Sequence, residues 1–448
     1  MKAIKESRSL NILESLNTYE YVRKAVLPLL GIEPNSFDHC TLGSFDKKEF
    51  IGDIDIAVKQ KLPIEEAFNI LAKAGFEPHM LKGFNQIAIA VPVSGHVASG
   101  IAQIDLMFTD NINWCKWSYF SPDEIASKYK GTYRSAFLSS IISEMDKTFE
   151  LNELGEVVEY EQHVMRFHSG IWKVQKSYQG KKGLIKTPKI IHEEMVTSDP
   201  SKALGMALGN KSMDDTTFEN LWEFFLTDMF PYPDKRYKIL TKYKRNLDNA
   251  KLQYPSEVVI AHPEIFGYVT IFFPGSFKPM HGGHLNLLKR YNNLTCVKKI
   301  MVLIGEKERD GMDAQRSLEA AKELTKEMKK IEILVVKNPT TFSFEFMETA
   351  EPGLYAMASS TKRREDFEKT ERFVKGHQNE GKYKHLVSDG VSSMDLHVDS
   401  EPIYYYGIPI SSTSCRESIR ENNFEKFKTN YPECNKNTVT LIWNILIS

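Results

Sequence analysis

The chain has 448 residues, 42% of them hydrophobic and 26% charged, with a formal net charge of -1. That length exceeds one ordinary core and calls for two or three domains, and the near-zero charge excludes a global field that draws the chain to nucleic acid or membrane. No apolar run approaches the roughly 18 residues of a membrane span. The first residues, MKAIKESRSL, lack a signal-peptide core, and five dispersed cysteines without metal-ligand spacing point to a reducing, cytoplasmic compartment.

Residues 7–30 carry helical spacing at Leu10, Ile12, Leu13, Leu16, Val22, Val26 and Leu29. A strand end at 39–42 and a Gly43-Ser44 turn follow. Over 53–58 the pattern alternates with period two. Asp53 and Asp55 therefore share one face of a strand, and Ile54 and Ile56 share the other. A helix is expected over 64–74, strands over 86–93 and 101–108, and the last strand carries Asp105. Adjacent carboxylates repel unless a cation neutralises them. An all-oxygen ligand set suits Mg²⁺, and a third acid from a neighbouring strand would complete a metal site.

This stretch resembles the polymerase-beta-type nucleotidyltransferases, whose signature is Gly-Ser, a spacer, Asp-x-Asp and a later Asp. The resemblance covers roughly residues 20–110. It implies that Gly43 and Ser44 hold a triphosphate, that Asp53, Asp55 and Asp105 bind metal, and that Asp105 is the base candidate for an acceptor hydroxyl. RNA is one acceptor class the family implies.

Residues 114–145 mix aromatics with Lys116, Lys128, Lys130 and Arg134. They read either as platforms for bases or as a helix packing its rings inward, starting at 121–124. Residues 145–175 have strand-like apolar positions at Phe167, Ile171 and Val174, and 180–186 reads as an exposed basic turn. Helical spacing returns over 218–230 and a charged helix over 235–250. The cations Lys235, Arg236, Lys238, Lys242, Lys244 and Arg245 form either a solvated face or a grip for an acceptor. Residues 151–265 are expected to be a mostly helical connector. His163, His168, His192 and His262 lack ligand spacing and read as structural or surface residues.

From Tyr268 the pattern becomes strand, helix, strand, helix. An apolar run over 268–273 meets a Pro274-Gly275-Ser276 turn, then His281, Gly282, Gly283 and His284, then a helix over 285–291. Backbone N–H groups and a helix dipole at such a junction cradle phosphate. Strands are expected at 299–305, 331–336, 354–358 and 385–387, with helices at 317–328, 342–349 and 359–374. Four hydroxyls and Arg416 open a further helix in the segment Ile408–Ile419. The apolar tail from Val439 is expected to dock as a strand or short helix.

The fit of Gly275, Phe277, Pro279, His281, Gly283 and His284, with Ile410, Ser411, Ser412, Thr413 and Arg416, resembles the HxGH nucleotidylyltransferase superfamily. The resemblance implies transfer of a nucleoside monophosphate from ATP or CTP to a phosphorylated small-molecule acceptor, with pyrophosphate released. It implies His281, His284 and Arg416 as catalytic groups. Gly275, Ser276, Phe277, Lys278, Gly283, Ser411, Ser412 and Thr413 would contact the nucleotide, and Mg²⁺ would arrive with it. Lys278 departs from the Asp or Gln common at its position, and Lys307, Arg309, Lys362, Arg363 and Arg364 are candidates for the acceptor phosphate.

The expected fold is an α/β multidomain chain. A small mixed-sheet nucleotidyltransferase domain spans 1–150, the helical connector 151–265, and a doubly wound, Rossmann-like parallel-sheet HxGH domain with a C-terminal tail 266–448. Two activities in one chain follow from the two resemblances. The alternative keeps only the second domain catalytic, with the first binding nucleotide or RNA for regulation.

Overall fold

The computed structural model describes every residue except 1–3, 5, 82–84, 124–125, 128, 181–182, 210–216, 253, 350–352, 359–403 and 406–407. The chain divides into two compact units, Met1–Asn246 and Leu247–Ser448.

The first unit is built on five strands: β1 (His39–Thr41), β2 (Ile54–Lys59), β3 (His79–Leu81), β4 (Gln86–Pro92) and β5 (Ile101–Thr109). They lie in the order β1-β2-β5-β4-β3, with β2 and β5 parallel and the other pairs antiparallel. Alternation decides the faces. Ile54, Ile56, Val58, Ile104 and Leu106 are buried with Val22 of α1 (Ile12–Ala25) and Leu71 of α2 (Ile64–Lys73). Burying each such side chain contributes roughly 1.5–3 kcal/mol. Asn11 opens α1 by accepting from the Glu14 N–H at 2.9 Å, and Glu14 answers by accepting from the Asn11 N–H at 3.1 Å.

The basic, aromatic stretch forms a helix, α3 (Gly131–Met145), which starts ten residues later than its 121–124 signal suggests. The Asp123 carboxylate instead accepts from the Ala126 N–H at 2.7 Å and holds a separate turn. The aromatics pack inward: Phe137 meets Phe218 and Phe225 of α4 (Phe218–Leu226) and Tyr243 of α5 (Arg236–Ala250) at 4.9–5.6 Å between rings. Residues 151–265 are not simply a helical connector. An antiparallel sheet precedes α4, with β6 (Thr148–Leu151), β7 (Val157–Arg166), β8 (Gly170–Gly180) and β9 (Gly183–Thr197) side by side. β9 is exposed along almost its whole length, so no apolar alternation marks it in the sequence.

The second unit carries four strands, β10 (Val269–Gly275), β11 (Val297–Gly305), β12 (Ile331–Val336) and β13 (Leu354–Met357). They are all parallel, in the order β12-β11-β10-β13. Phe272 packs edge-on against Phe346 of α8 (Pro339–Thr349), while Phe273 packs against Tyr291 of α6 (Gly282–Asn293). Successive strand residues point to opposite faces, so helices cover both sides of the sheet. The chain leaves β10 toward β11 on one side and places β13 on the other. That reversal opens a crevice at the carboxyl ends of the strands, where the 275–284 loop lies. Helix α7 (Ala314–Thr325) follows β11. Helices α9 (Ser412–Arg420) and α10 (Lys436–Ile447) close the chain, so the apolar tail is a helix that begins three residues before Val439. The helix expected over 359–374, the strand over 385–387, and Lys362, Arg363 and Arg364 fall outside the described residues. No helix among the described residues is long and apolar enough to cross a membrane.

Candidate active sites

In the first unit, pairing of β2 with β5 sets Asp55 directly opposite Asp105. Asp53 stands just before β2, and its charge raises the pKa of both other acids. Burial, then Asp53 and Asp105, push Asp55 well above the usual carboxylate range. Burial, then Asp53, push Asp105 up to about 6, although Gln103 and Gln86 donate to its carboxylate and oppose the rise. The Gln103 amide lies 3.0 and 3.2 Å from the two oxygens. Gly43 turns with φ +64, and a Cβ there would meet Asp55 Oδ2 at 3.0 Å, so the Gly43-Ser44 turn runs against this acid. The turn and all three acids are therefore neighbours. They do not form a ready-made cage: no group of three or more His, Cys, Asp or Glu among the described residues is gathered so as to hold a metal ion.

In the second unit, His281 is the N-cap of α6. Its Nδ1 accepts from the Gly283 N–H at 3.1 Å, and His284 Nδ1 accepts from the His281 N–H at 3.3 Å. With both Nδ1 atoms accepting, the neutral tautomer that fits each ring carries its hydrogen on Nε2. The rings lie 3.8 Å apart, and Phe277 stands edge-on to His284 at 4.9 Å. Phe277 itself sits at φ +43, a conformation uncommon for a bulky residue.

The second motif folds onto this loop although it lies some 130 residues away in the chain. Arg416, 5% exposed, donates from Nη1 to the Lys278 carbonyl at 2.7 Å, and Ser412 Oγ donates to the Pro279 carbonyl at 2.9 Å. Tyr431 Oη donates to the Met280 carbonyl at 2.7 Å, and the Gly282 N–H donates to the Asn430 carbonyl at 2.9 Å. Ser411 caps α9 by accepting from the Ser414 N–H, and Thr413 Oγ1 accepts from Arg416 Nη2 at 3.2 Å. Lys278 is fully buried, and its Nζ has no hydrogen-bond partner among the described residues. Burial pulls its pKa down, against the opposing charges of Asp313 and Glu308. Ser276 remains exposed at the loop edge.

No family model matches the chain. A segment is 34% identical over 71 residues to the phosphopantetheine adenylyltransferase of Mycoplasma capricolum subsp. capricolum, covering 15% of this chain and 49% of that protein. The phosphopantetheine adenylyltransferase of Mycoplasma mycoides subsp. mycoides SC is 31% identical over 74 residues, covering 16% and 51%. The chain thus spans about half the length of the curated relatives it matches. Among solved structures, the Cid1 poly(U) polymerase aligns over 32% of this chain and 56% of its own at 14% identity, with a TM-score of 0.19 that carries no argument.

Four residues around the candidate sites escape the sequence reading. Asp310 accepts from Arg416 Nε at 2.7 Å and holds the guanidinium of the second motif. Gln103 and Gln86 bracket Asp105. Tyr431 props the Met280 backbone. Gln103 had a usable signal, since it lies two residues before Asp105 on the same strand face. Asp310 and Tyr431 had none, because their partners are set by chain crossings.

Proposed function

We propose that the chain is a bifunctional nucleotidyltransferase. Its second unit transfers a nucleoside monophosphate from ATP or CTP to a phosphorylated small molecule, and its first unit carries out metal-dependent nucleotidyl transfer to a hydroxyl. The observation that carries the reading is the tie between the two distant motifs: Arg416 and Ser412 bonded to the Lys278–Pro279 backbone, one turn from His281 and His284. The partial likeness to phosphopantetheine adenylyltransferases supports it.

In the second unit an acceptor phosphate oxygen attacks the α-phosphorus, and the bond to the β-phosphate oxygen breaks as pyrophosphate leaves. Negative charge grows on the nonbridging and departing oxygens. Imidazole Nε2–H groups, the α6 and α9 N-termini and the Arg416 fork are donors suited to that charge. The incoming phosphates would replace Asp310 on the guanidinium. Gly275, Ser276, Phe277 and Gly283 shape the cradle, Ser411 to Thr413 line its other side, and Lys278 supplies a buried positive charge. Lys307 and Arg309, in the loop after β11, are candidates for the acceptor phosphate.

In the first unit the oxygen-only ligand set fits Mg²⁺, which takes one or two carboxylates and completes its shell from water and phosphate. Asp53, Asp55 and Asp105 would hold it, where it would lower the cost of ionising the acceptor hydroxyl. Gly43 and Ser44 would hold the triphosphate. Asp105 is also the candidate base for the acceptor hydroxyl.

A second reading keeps the first unit regulatory, binding nucleotide or RNA. Incubation with each α-labelled nucleoside triphosphate and a metabolite extract decides between them. Under the bifunctional reading, His284→Ala and Asp53→Ala/Asp55→Ala each remove a different labelled product. Only one labelled product from the wild type would support the second reading, and no labelled product would sink both.

A further inference from the structure

The antiparallel sheet of the first unit has a feature that neither proposed reaction uses. Strand pairing lines up Phe149 of β6, Tyr160 of β7 and Lys176 of β8 in one row across three strands. Neighbouring strands lie about 4.8 Å apart, so the row covers about 10 Å, wider than one base. Tyr178, two residues beyond Lys176, stands on the same face with its ring 5.9 Å from Tyr160. Lys147 Nζ lies 5.4 Å from the Phe149 ring and 5.8 Å from that of Tyr160, and Lys176 Nζ also lies 5.8 Å from Tyr160.

Helix α5 brings Lys242 and Arg245 to the same place. Lys242 is desolvated and crowded by Arg245, Lys147 and Lys176, with Glu144 the opposing carboxylate, and its pKa falls to about 8. Arg245 also acts on Tyr160, and Lys147 acts on Lys176. Glu144 is itself 3.2 Å from Lys147. Four cations around one carboxylate repel one another and detract from stability unless an outside anion joins them. A second lysine group, Lys298, Lys299, Lys329 and Lys330, lines a hollow of about 400 Å³ in the second unit. There Lys299 is paired with Glu332, and Lys330 donates to the Leu294 carbonyl.

We propose that this face of the sheet, with Lys242 and Arg245 of α5, binds single-stranded nucleic acid, with Lys147, Lys176, Lys242 and Arg245 on phosphates and Tyr160 and Tyr178 as stacking surfaces. Cations alone would suit any polyanion. Tyrosine rings among the ammonium groups select for bases with exposed faces, which a duplex hides.

The test titrates the full chain, without metal or nucleotide, against fluorescein-labelled 12-mers of oligouridylate and oligothymidylate and reads anisotropy. Its outcome is separate from the fate of either proposed reaction. Wild type binds at least one of the two. Tyr160→Ala weakens binding about tenfold and Tyr160→Phe retains it. Lys176→Gln/Arg245→Gln weakens binding and lowers the slope of log affinity against log salt by about 1.4. Lys298→Gln/Lys299→Gln leaves affinity unchanged. If the double variant melts early, Lys147→Gln carries the charge arm, with a slope change of about 0.7. The proposal is overturned if wild type binds neither oligomer, if Tyr160→Ala binds as wild type, or if the two lysine groups contribute equally. Full displacement by equimolar free nucleoside triphosphate would also overturn it, since it marks a mononucleotide pocket.

Discussion

The two units solve one electrostatic problem in opposite ways. Under the proposed function, the first presents carboxylates to a region where phosphate would sit, so it would need a cation before an anion could enter. The second presents N–H groups, imidazoles and a guanidinium, and is complementary to phosphate without one. In the first unit the charge is fixed on adjacent strands, where Asp55 and Asp105 cannot move apart. In the second it lies on a loop and two helix starts stitched by Arg416, Ser412 and Tyr431. A site of like charges is strained until filled. A site of donors can be held by an internal substitute, and Asp310 plays that part on Arg416.

That contrast can be broken by experiment, beginning with the largest effect. His284→Ala should lower pyrophosphate release by the second unit by about 100-fold or more, the scale of removing one donor from a developing oxyanion. Any product made by the first unit should be unaffected. Equal loss of both products would end the idea of independent sites.

Next is the response to pH. The folded-state pKa of Asp105, about 6, lies above its ordinary 3.8. The native state therefore binds the extra proton, and without metal Asp105 favours the folded first unit most below about pH 4. It loses on the order of 3 kcal/mol as pH rises toward 6. Denaturant titrations from pH 4 to 7 should show this fall, and Asp105→Asn should reduce it. Mg²⁺ should raise the metal-free melting temperature at pH 7 and have little effect at pH 4, where Asp55 and Asp105 keep their protons. A flat stability profile, or a Mg²⁺ effect that survives Asp53→Ala/Asp55→Ala, would separate these acids from metal binding.

The smallest effect tests the internal substitute. Asp310→Asn frees Arg416 and should tighten nucleoside triphosphate binding by the second unit about fivefold, the worth of a part-exposed ion pair. Isothermal titration reads it, and unchanged or weaker binding would assign Asp310 a supporting role instead.

Much of both sites could be read from local pattern. The alternation at Asp53–Ile56 placed two acids on one strand face, because side-chain direction in a strand depends only on residue parity. The small-residue turn before His281 marked a helix start, because capping and φ preferences act within a few residues. Local pattern failed where packing replaced it. The 121–124 signal capped only a turn, because the aromatic cluster around Phe137 is served by the helix that begins at Gly131. β9 went unseen because both of its faces are exposed and its apolar residues follow no period.

By itself, then, the sequence determined which residue types stand at the two candidate sites and which backbone elements carry them, since those depend on neighbours within about one turn or one strand. Only the tertiary structure decided that Asp105 faces Asp55, that Arg416 closes on the Lys278 backbone with Asp310 in its grasp, and that α5 brings Lys242 to Lys176. Strand order and long-range packing bring together residues dozens to more than a hundred positions apart, and no periodicity in the chain encodes those meetings.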